Sequence, residues 1–211
     1  MKTLFIDSSR KSLTVALYCD NKLLFVSNVD SKSKHSNFLV SEIKKIIEQS
    51  NFKINDIDNI IVLNGPGSFT GIRVGVTVAK TLAWALNKKL YLVNNLEALS
   101  LGLESDIVIS VIYDKQNDSF VGLYEKENKV EEYLNIDYFD KKYNNKKITI
   151  VSMDENLYID SLKDKLNENN VEIKIISEYN YEELLKFALN KSNINPHLAE
   201  PIYLKKIDAE K

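Results

Sequence analysis

Leu63-Asn64-Gly65-Pro66-Gly67-Ser68-Phe69-Thr70-Gly71-Ile72-Arg73-Val74-Gly75 is a strand end, a tight turn and a helix start in thirteen residues. The apolar run Ile60-Ile61-Val62-Leu63 leads into it, and short β-branched runs bounded by Gly and Pro read as buried strands. Gly65 and Gly67 open backbone angles closed to other residues, while Pro66 presets its own φ and pushes Gly65 out of the helical region. Ser68 or Thr70 can cap the helix that follows. Free amides at such a helix start attract anions. The known phosphate signatures do not fit, however: Ile72-Arg73 stands where a P-loop needs Lys-Ser/Thr, and Thr70 stands where the dinucleotide fingerprint needs glycine. The turn taken alone reads as a structural strand–helix corner.

The spacing predicts a helix from Thr70 to Leu86 with two apolar stripes. Ile72, Val76, Ala79, Ala83 and Leu86 form one; Gly71, Val74, Gly75, Val78, Leu82 and Ala85 form the other. Arg73, Thr77, Lys80 and Thr81 leave a narrow polar strip. A helix apolar nearly all round is buried. Glycine inside a helix costs about 1 kcal/mol relative to alanine, so close packing must compensate at Gly71 and Gly75. Either both stripes pack within the chain, or one faces a partner.

Upstream, Thr3–Ile6, Ser12–Tyr18 and Lys22–Val29 read as a three-stranded antiparallel meander with a turn at Asp20-Asn21. A helix follows from Asn37 to Gln49, with Leu39, Ile43, Ile46 and Ile47 on one face and Phe38 and Val40 widening it. Downstream come a strand at Leu90–Val93 and a short helix capped by Asn95. Strand, strand, strand, helix, strand, helix, strand, helix, with Asp7-Ser8-Ser9 after the first strand, is the pattern of one half of an actin-like or sugar-kinase-like ATPase domain. A second copy is legible in strands at 107–113, 119–124, 129–134 and 148–152, a helix at 157–166, a strand at 171–176 and a helix at 181–189. The expectation is an α/β, duplicated ribonuclease-H-like fold of the actin/sugar-kinase (ASKHA) class in two lobes, 1–104 and 105–211. Tyr138–Lys147 reads as a solvated loop. In this fold a Gly-Gly turn of the second half admits adenosine, and no glycine follows Gly122. Asp7-Ser8-Ser9 is therefore expected to be a vestigial phosphate loop.

The chain has 211 residues, 44% of them hydrophobic and 27% charged, with a formal charge of −2. That balance is ordinary for a globular protein and argues against a stand-alone nucleic-acid binder. One cysteine, Cys19, makes no internal disulfide and reads as packing. With no signal-like or membrane-length apolar run, the cytoplasm is the expected compartment. No His-Glu-x-x-His motif occurs, and the serines lack an evident His and Asp set, which excludes a protease.

Phe5-Ile6-Asp7-Ser8-Ser9, His35-Ser36, the Gly65–Gly75 stretch and Glu200-Pro201-Ile202-Tyr203-Leu204 together resemble the TsaB (YeaZ) family. The first half resembles it throughout, whereas little of 138–189 does. The resemblance implies a scaffold or dimerisation subunit with no catalytic residues, metal or cofactor of its own. Such a subunit binds a catalytic TsaD-like paralogue and, with a TsaE-like ATPase, supports threonylcarbamoyl transfer to N6 of adenosine 37 in tRNAs reading ANN codons. ATP and metal belong to the partner subunits, and tRNA is met only within the complex. It implies a helix–helix partner interface at Phe38, Leu39, Gly71, Arg73, Val74, Gly75, Val78 and Leu82, shared with a homodimer when the chain is alone. On that reading Gly75→Leu or Val78→Glu disrupts pairing more than folding. The paralogue's metal site needs two histidines four apart. Here Leu39 stands four after His35, so His35 is expected to be a cap or surface residue, and the remaining histidine is His197. The alternative is a stand-alone actin-fold ATPase or kinase using Asp7.

Overall fold

A computed structural model describes residues 1–30, 35–126, 128–140, 143, 145–166 and 170–205, with the His35 side chain outside that set. The chain divides into two compact units. The first comprises Met1–Asn95 and Tyr181–Ile202, the second Leu96–Asn180 and the residues from Tyr203 on.

In the first unit β1 (Lys2–Asp7), β2 (Ser12–Cys19) and β3 (Lys22–Asp30) form the expected meander. Asp20 and Asn21 both take positive φ, at 47° and 66°, which suits the right-handed twist of a two-residue hairpin. β4 (Asn59–Leu63) and β5 (Lys89–Val93) complete a sheet ordered β3-β2-β1-β4-β5. β1 pairs antiparallel with β2 and parallel with β4, so the carboxyl ends of β1, β4 and β5 lie together. Helices α1 (His35–Gln49) and α2 (Phe69–Ala85) cover one face. Leu39, Ile43 and Ile46 of α1 and Ile72, Val76, Ala79 and Ala83 of α2 pack on Leu4, Ile6, Val15, Leu17, Ile60 and Val62. The other face carries Phe5, whose ring meets Tyr181 of α5 (Tyr181–Asn190) edge-on at 6.2 Å.

The second unit repeats the plan. After α3 (Asn95–Ser100), β6 (Ile107–Lys115), β7 (Asp118–Glu125), β8 (Asn128–Asn135), β9 (Ile148–Ser152) and β10 (Val171–Ile175) form a sheet ordered β10-β9-β6-β7-β8. Again two antiparallel pairings adjoin two parallel ones. Helix α4 (Leu157–Leu166) places Tyr158, Ile159, Leu162 and Leu166 on Ile107, Ile109, Ile148 and Ile150. Each sheet with its crossover helix is one ribonuclease-H-like half, so the chain has the two-lobe actin/sugar-kinase architecture.

Two details depart from the sequence reading. Helix α5 and the residues to Ile202, expected in the second lobe, pack with the first unit: Leu184, Leu185 and Ala188 are buried there on the free face of the first sheet. The expected loop at 138–147 begins with a 3-10 turn, Ile136–Tyr138, which buries Ile136 and Phe139 in the second core. Lys141, Lys142 and Asn144 of that loop lie outside the described residues.

Candidate functional site

At the carboxyl ends of β1, β4 and β5, Asp7-Ser8-Ser9, the Gly65–Gly75 stretch and Glu200–Ile202 meet, all within the first unit. Asp7 is fully buried. Its Oδ1 accepts from the Ser9 amide at 2.8 Å and the Ser9 hydroxyl at 2.6 Å, and the Arg10 Nε approaches Oδ2 at 3.5 Å. The Ser8 hydroxyl donates to the Gly71 carbonyl at 2.8 Å. The Ser9 carbonyl accepts from the Ser68 amide at 2.8 Å. Asn95, at the start of α3, donates from Nδ2 to the Ser9 hydroxyl and accepts from the Gly65 amide at 2.9 Å. The turn thus grips the β1–β2 loop from one side.

The C-terminal motif holds the turn itself. The Ile202 amide donates to the Asn64 carbonyl at 2.7 Å, and Asn64 Nδ2 donates to the Glu200 carbonyl at 3.1 Å. Gly65 sits at φ +113°, and a Cβ there would lie 2.6 Å from the Ile202 carbonyl oxygen. Conformation and space both demand glycine. At Gly67 a Cβ would lie 2.6 Å from the Ser9 carbonyl oxygen.

The actin-like fold implies a nucleotide phosphate at this loop. The residues present do not fit one: the Ser8 and Ser9 hydroxyls that would donate to it are turned onto α2, Asp7 and Asn95. The metal of the family is not accommodated at the α1 position either, because Leu39 is buried in the core. Among the described residues no three His, Cys, Asp or Glu gather as ligands. The role expected of the His35 side chain lies outside the described residues.

Helix α2 is capped by Ser68, whose hydroxyl accepts from the Gly71 amide at 3.3 Å. Of its two apolar stripes, both are used largely within the chain. Gly71 and Gly75 are buried, and the atom closest to a Cβ at Gly75 would be the hydroxyl oxygen of Ser8. The close approach read as a partner contact is therefore the approach of α2 to the β1–β2 loop. Val74, Val78 and Leu82 are half-buried against the first core. Leu39 is likewise core, whereas Phe38 is exposed. Of the expected interface residues, Leu39, Gly71 and Gly75 are buried within the chain, Val74, Val78 and Leu82 are half-buried, and Phe38 and Arg73 are exposed.

What α2 presents outward is the strip Phe69, Arg73, Thr77, Thr81 and Trp84. The Arg73 guanidinium lies 3.8 Å from the Phe69 ring centroid, a stacked cation–π pair. Trp84 is 64% exposed, with its ring 6.0 Å from that of His197. On α1, Val40 is 63% exposed beside Phe38. The sequence offers Arg73, Thr77, Lys80 and Thr81 as the narrow polar strip, with Arg73 also expected at the partner interface, and leaves out Phe69 and Trp84. The helical spacing of Phe69, Arg73, Thr77, Thr81 and Trp84 was the available signal.

In the second unit, Asp114 at the end of β6 receives Lys205 Nζ at 2.6 Å and the Tyr133 hydroxyl at 2.7 Å. Burial works against the charged form, but these two donors outweigh it and hold the Asp114 carboxyl below the usual carboxylate range. Burial, then the bond to Asp114, pushes Tyr133 up to about 12.

The family model described as TsaD: tRNA N6-adenosine threonylcarbamoyltransferase matches residues 29–141. The tRNA threonylcarbamoyladenosine biosynthesis protein TsaB of Bacillus subtilis (strain 168) is 35% identical over 130 residues, 61% of this chain and 57% of the relative. The tRNA N6-adenosine threonylcarbamoyltransferase of Persephonella marina is 27% identical over 159 residues, 68% of this chain and 44% of that one. The matches span about half the length of these curated relatives. Among solved structures, YeaZ from Pseudomonas aeruginosa superposes with a TM-score of 0.77 at 19% identity, covering 96% of this chain and 99% of that one. No helix among the described residues is long and apolar enough to cross a membrane. With the model spanning more than half of the chain, the chain belongs to the TsaD family, and it is similar in sequence to TsaB and in fold to YeaZ.

Proposed function

We propose that this chain is a non-catalytic subunit of the cytoplasmic machinery that transfers a threonylcarbamoyl group to N6 of adenosine 37 in tRNAs reading ANN codons. Its work is to bind and support a TsaD-like catalytic paralogue, with a TsaE-like ATPase as the further partner. Metal and ATP chemistry belong to those subunits. The observation that carries the reading is the strand-end loop: Asp7, Ser8 and Ser9 bond to their own turn and to α2, so the loop of this fold that handles phosphate acts here as structural cement. The outer strip of α2, with Arg73 stacked on Phe69 and Trp84 largely exposed, is the face offered to the paralogue, flanked by Phe38 and Val40 of α1. Aromatic residues and arginine are the residue types that anchor protein interfaces.

The test is the solution mass of this chain mixed with its TsaD-like paralogue, read by light scattering, together with threonylcarbamoyl transfer to tRNA. The expected result is a one-to-one complex whose transfer activity depends on this chain, weakened at least about tenfold by Arg73→Glu, in line with the loss of a charged anchor. A chain that ignores the paralogue, or that binds ATP alone in a manner lost on Asp7→Ala, overturns the proposal and favours a stand-alone ATPase.

A further inference from the structure

Asn64-Gly65 is the only Asn-Gly pair of the chain. An asparagine amide is lost most readily before glycine, which has no side chain to shield its amide nitrogen. Here the pair ends β4 and opens the turn, and both reacting groups are tied down. Asn95 holds Gly65 on both sides: the Gly65 amide donates to Asn95 Oδ1 at 2.9 Å, and the Gly65 carbonyl accepts from the Asn95 amide at 2.8 Å. The Asn64 side chain is buried, and its Nδ2 donates to the Glu200 carbonyl at 3.1 Å. Its Oδ1 has no hydrogen-bond partner among the described residues, so the bond to Glu200 is the one that fixes this amide. Glu200 is kept in place by its neighbours in the C-terminal strap Ala199–Ile202. The Ala199 carbonyl accepts from Lys80 Nζ at 3.2 Å, and the Ile202 amide donates to the Asn64 carbonyl at 2.7 Å.

We infer that Asn64-Gly65 is a deamidation site that the strap holds unreacted, and that opening of the strap exposes it to reaction. The Gly65 amide nitrogen, giving its proton to solvent, attacks Asn64 Cγ. The N–Cγ bond forms, the Cγ–Nδ2 bond breaks, and Nδ2 takes up a proton and leaves as ammonia. Water then opens the five-membered imide. Its addition at Cγ leaves aspartate at 64, and its addition at the main-chain carbonyl leaves isoaspartate. With the strap closed the attack is blocked at both partners, because Gly65 must leave Asn95 and Asn64 must leave Glu200 before nitrogen and Cγ can meet. Neither product fits the closed knot again. An aspartate sets its carboxylate, buried, against the Glu200 carbonyl with no donor between them, a costly burial of charge. An isoaspartate lengthens the main chain by one methylene where the Ile202 carbonyl already leaves no room for a Cβ on Gly65. Each opening of the strap thus exposes the turn to a one-way loss. The inference does not rest on the proposed function.

The experiment compares the intact chain with a synthetic peptide of Ile54–Arg73 in the same warm, mildly alkaline buffer. Mass spectrometry with peptide fragmentation locates the amide-to-acid mass gain at Asn64. The peptide is expected to convert. The chain is expected to convert more slowly, by at least the factor by which its Gly65 amide is protected from hydrogen exchange, because attack requires that amide to be released by local opening. Ile202→Pro removes the amide that bonds the Asn64 carbonyl. It is expected to speed conversion in the folded chain about threefold to tenfold, the effect of losing one hydrogen bond. Lys80→Met removes only the bond to Ala199 and is expected to act in the same direction; it carries the test if circular dichroism shows Ile202→Pro to be unfolded. A peptide that does not convert, a chain that lags the peptide by less than its Gly65 protection, or folded strap variants that convert no faster than the wild type each overturn the inference.

Discussion

At the scale of single residues, the contact between Gly75 and Ser8 decides how the central motif is to be understood. Any side chain at 75 forces the Ser8 hydroxyl away from the Gly71 carbonyl, its partner at 2.8 Å. Gly75→Ala is therefore expected to lower stability by about 1–3 kcal/mol, the range for overpacking, as read by denaturant unfolding. Adding Ser8→Gly is expected to recover part of that loss, because the two sites are in direct contact. Arg73→Glu, on the exposed strip, is expected to cost less than about 1 kcal/mol, the worth of an exposed cation–π pair. The Asp114–Lys205 pair gives a second residue-scale expectation. The folded pKa of Asp114 lies below its ordinary 3.8, so its contribution is complete above that value and is lost as pH falls through the folded pKa. The hydrogen bond to Asp114 leads in raising Lys205 above its ordinary 10.5, so its contribution is complete below that value and is lost as pH rises through the folded pKa. The C-terminal segment is therefore expected to be held best between these limits. Amide exchange at Tyr203 and Leu204, taken relative to the intrinsic rate at each pH, checks this: protection should fall in acid for the wild type and be low throughout for Asp114→Asn.

At the scale of elements, most of the molecule was legible because its signals are local. The hairpin at Asp20-Asn21, the Ser68 cap, the alternation in β2 and the apolar runs of β4 and β9 each depend on a few neighbouring residues. Helix α4 was bounded by its own periodicity, Tyr158, Ile159, Leu162 and Leu166 falling on one face. The candidate site was legible only in its parts. That the Gly65–Gly75 turn, Asp7-Ser8-Ser9, Asn95 and Glu200–Ile202 form one hydrogen-bonded knot depends on bonds linking residues as far apart as Asn64 and Ile202, which no local pattern encodes. The two stripes of α2 show the same limit. Periodicity says that a face is apolar; it does not say whether a strand of the same chain or another molecule covers it. The resemblance places Gly71 and Gly75 at a partner surface, while within the chain the Ser8 hydroxyl donates to the Gly71 carbonyl and lies against Gly75. Asn95 was recognised only as a cap, although its side chain bridges the turn to Ser9.

At the scale of the whole molecule, chain order and compact units do not coincide, and that has a consequence for folding. The first sheet is built from residues 2–93, but its second face is covered by α5, nearly ninety residues later. Leu184 and Leu185 are fully buried there, each worth roughly 1.5–3 kcal/mol of apolar burial. The Tyr18 hydroxyl donates to the Tyr181 carbonyl at 3.1 Å, and the Ile202–Asn64 bond closes the strap over the turn. Against a typical domain stability of 5–15 kcal/mol, loss of this segment removes most of what holds the unit. A chain ending at Asn180 is therefore expected to lose the first unit while keeping the second, whose core of β6, β7, β9 and α4 lies wholly within 107–166. Hydrogen exchange followed by fragment mass analysis distinguishes the two: amides of β1 and β4 should exchange as in an unfolded chain, while those of β6 and β9 stay protected. Protection retained in β1 and β4 would mean that α1 and α2 alone suffice to hold the sheet, and that the return of the chain to the first unit serves the turn at Gly65 more than the core.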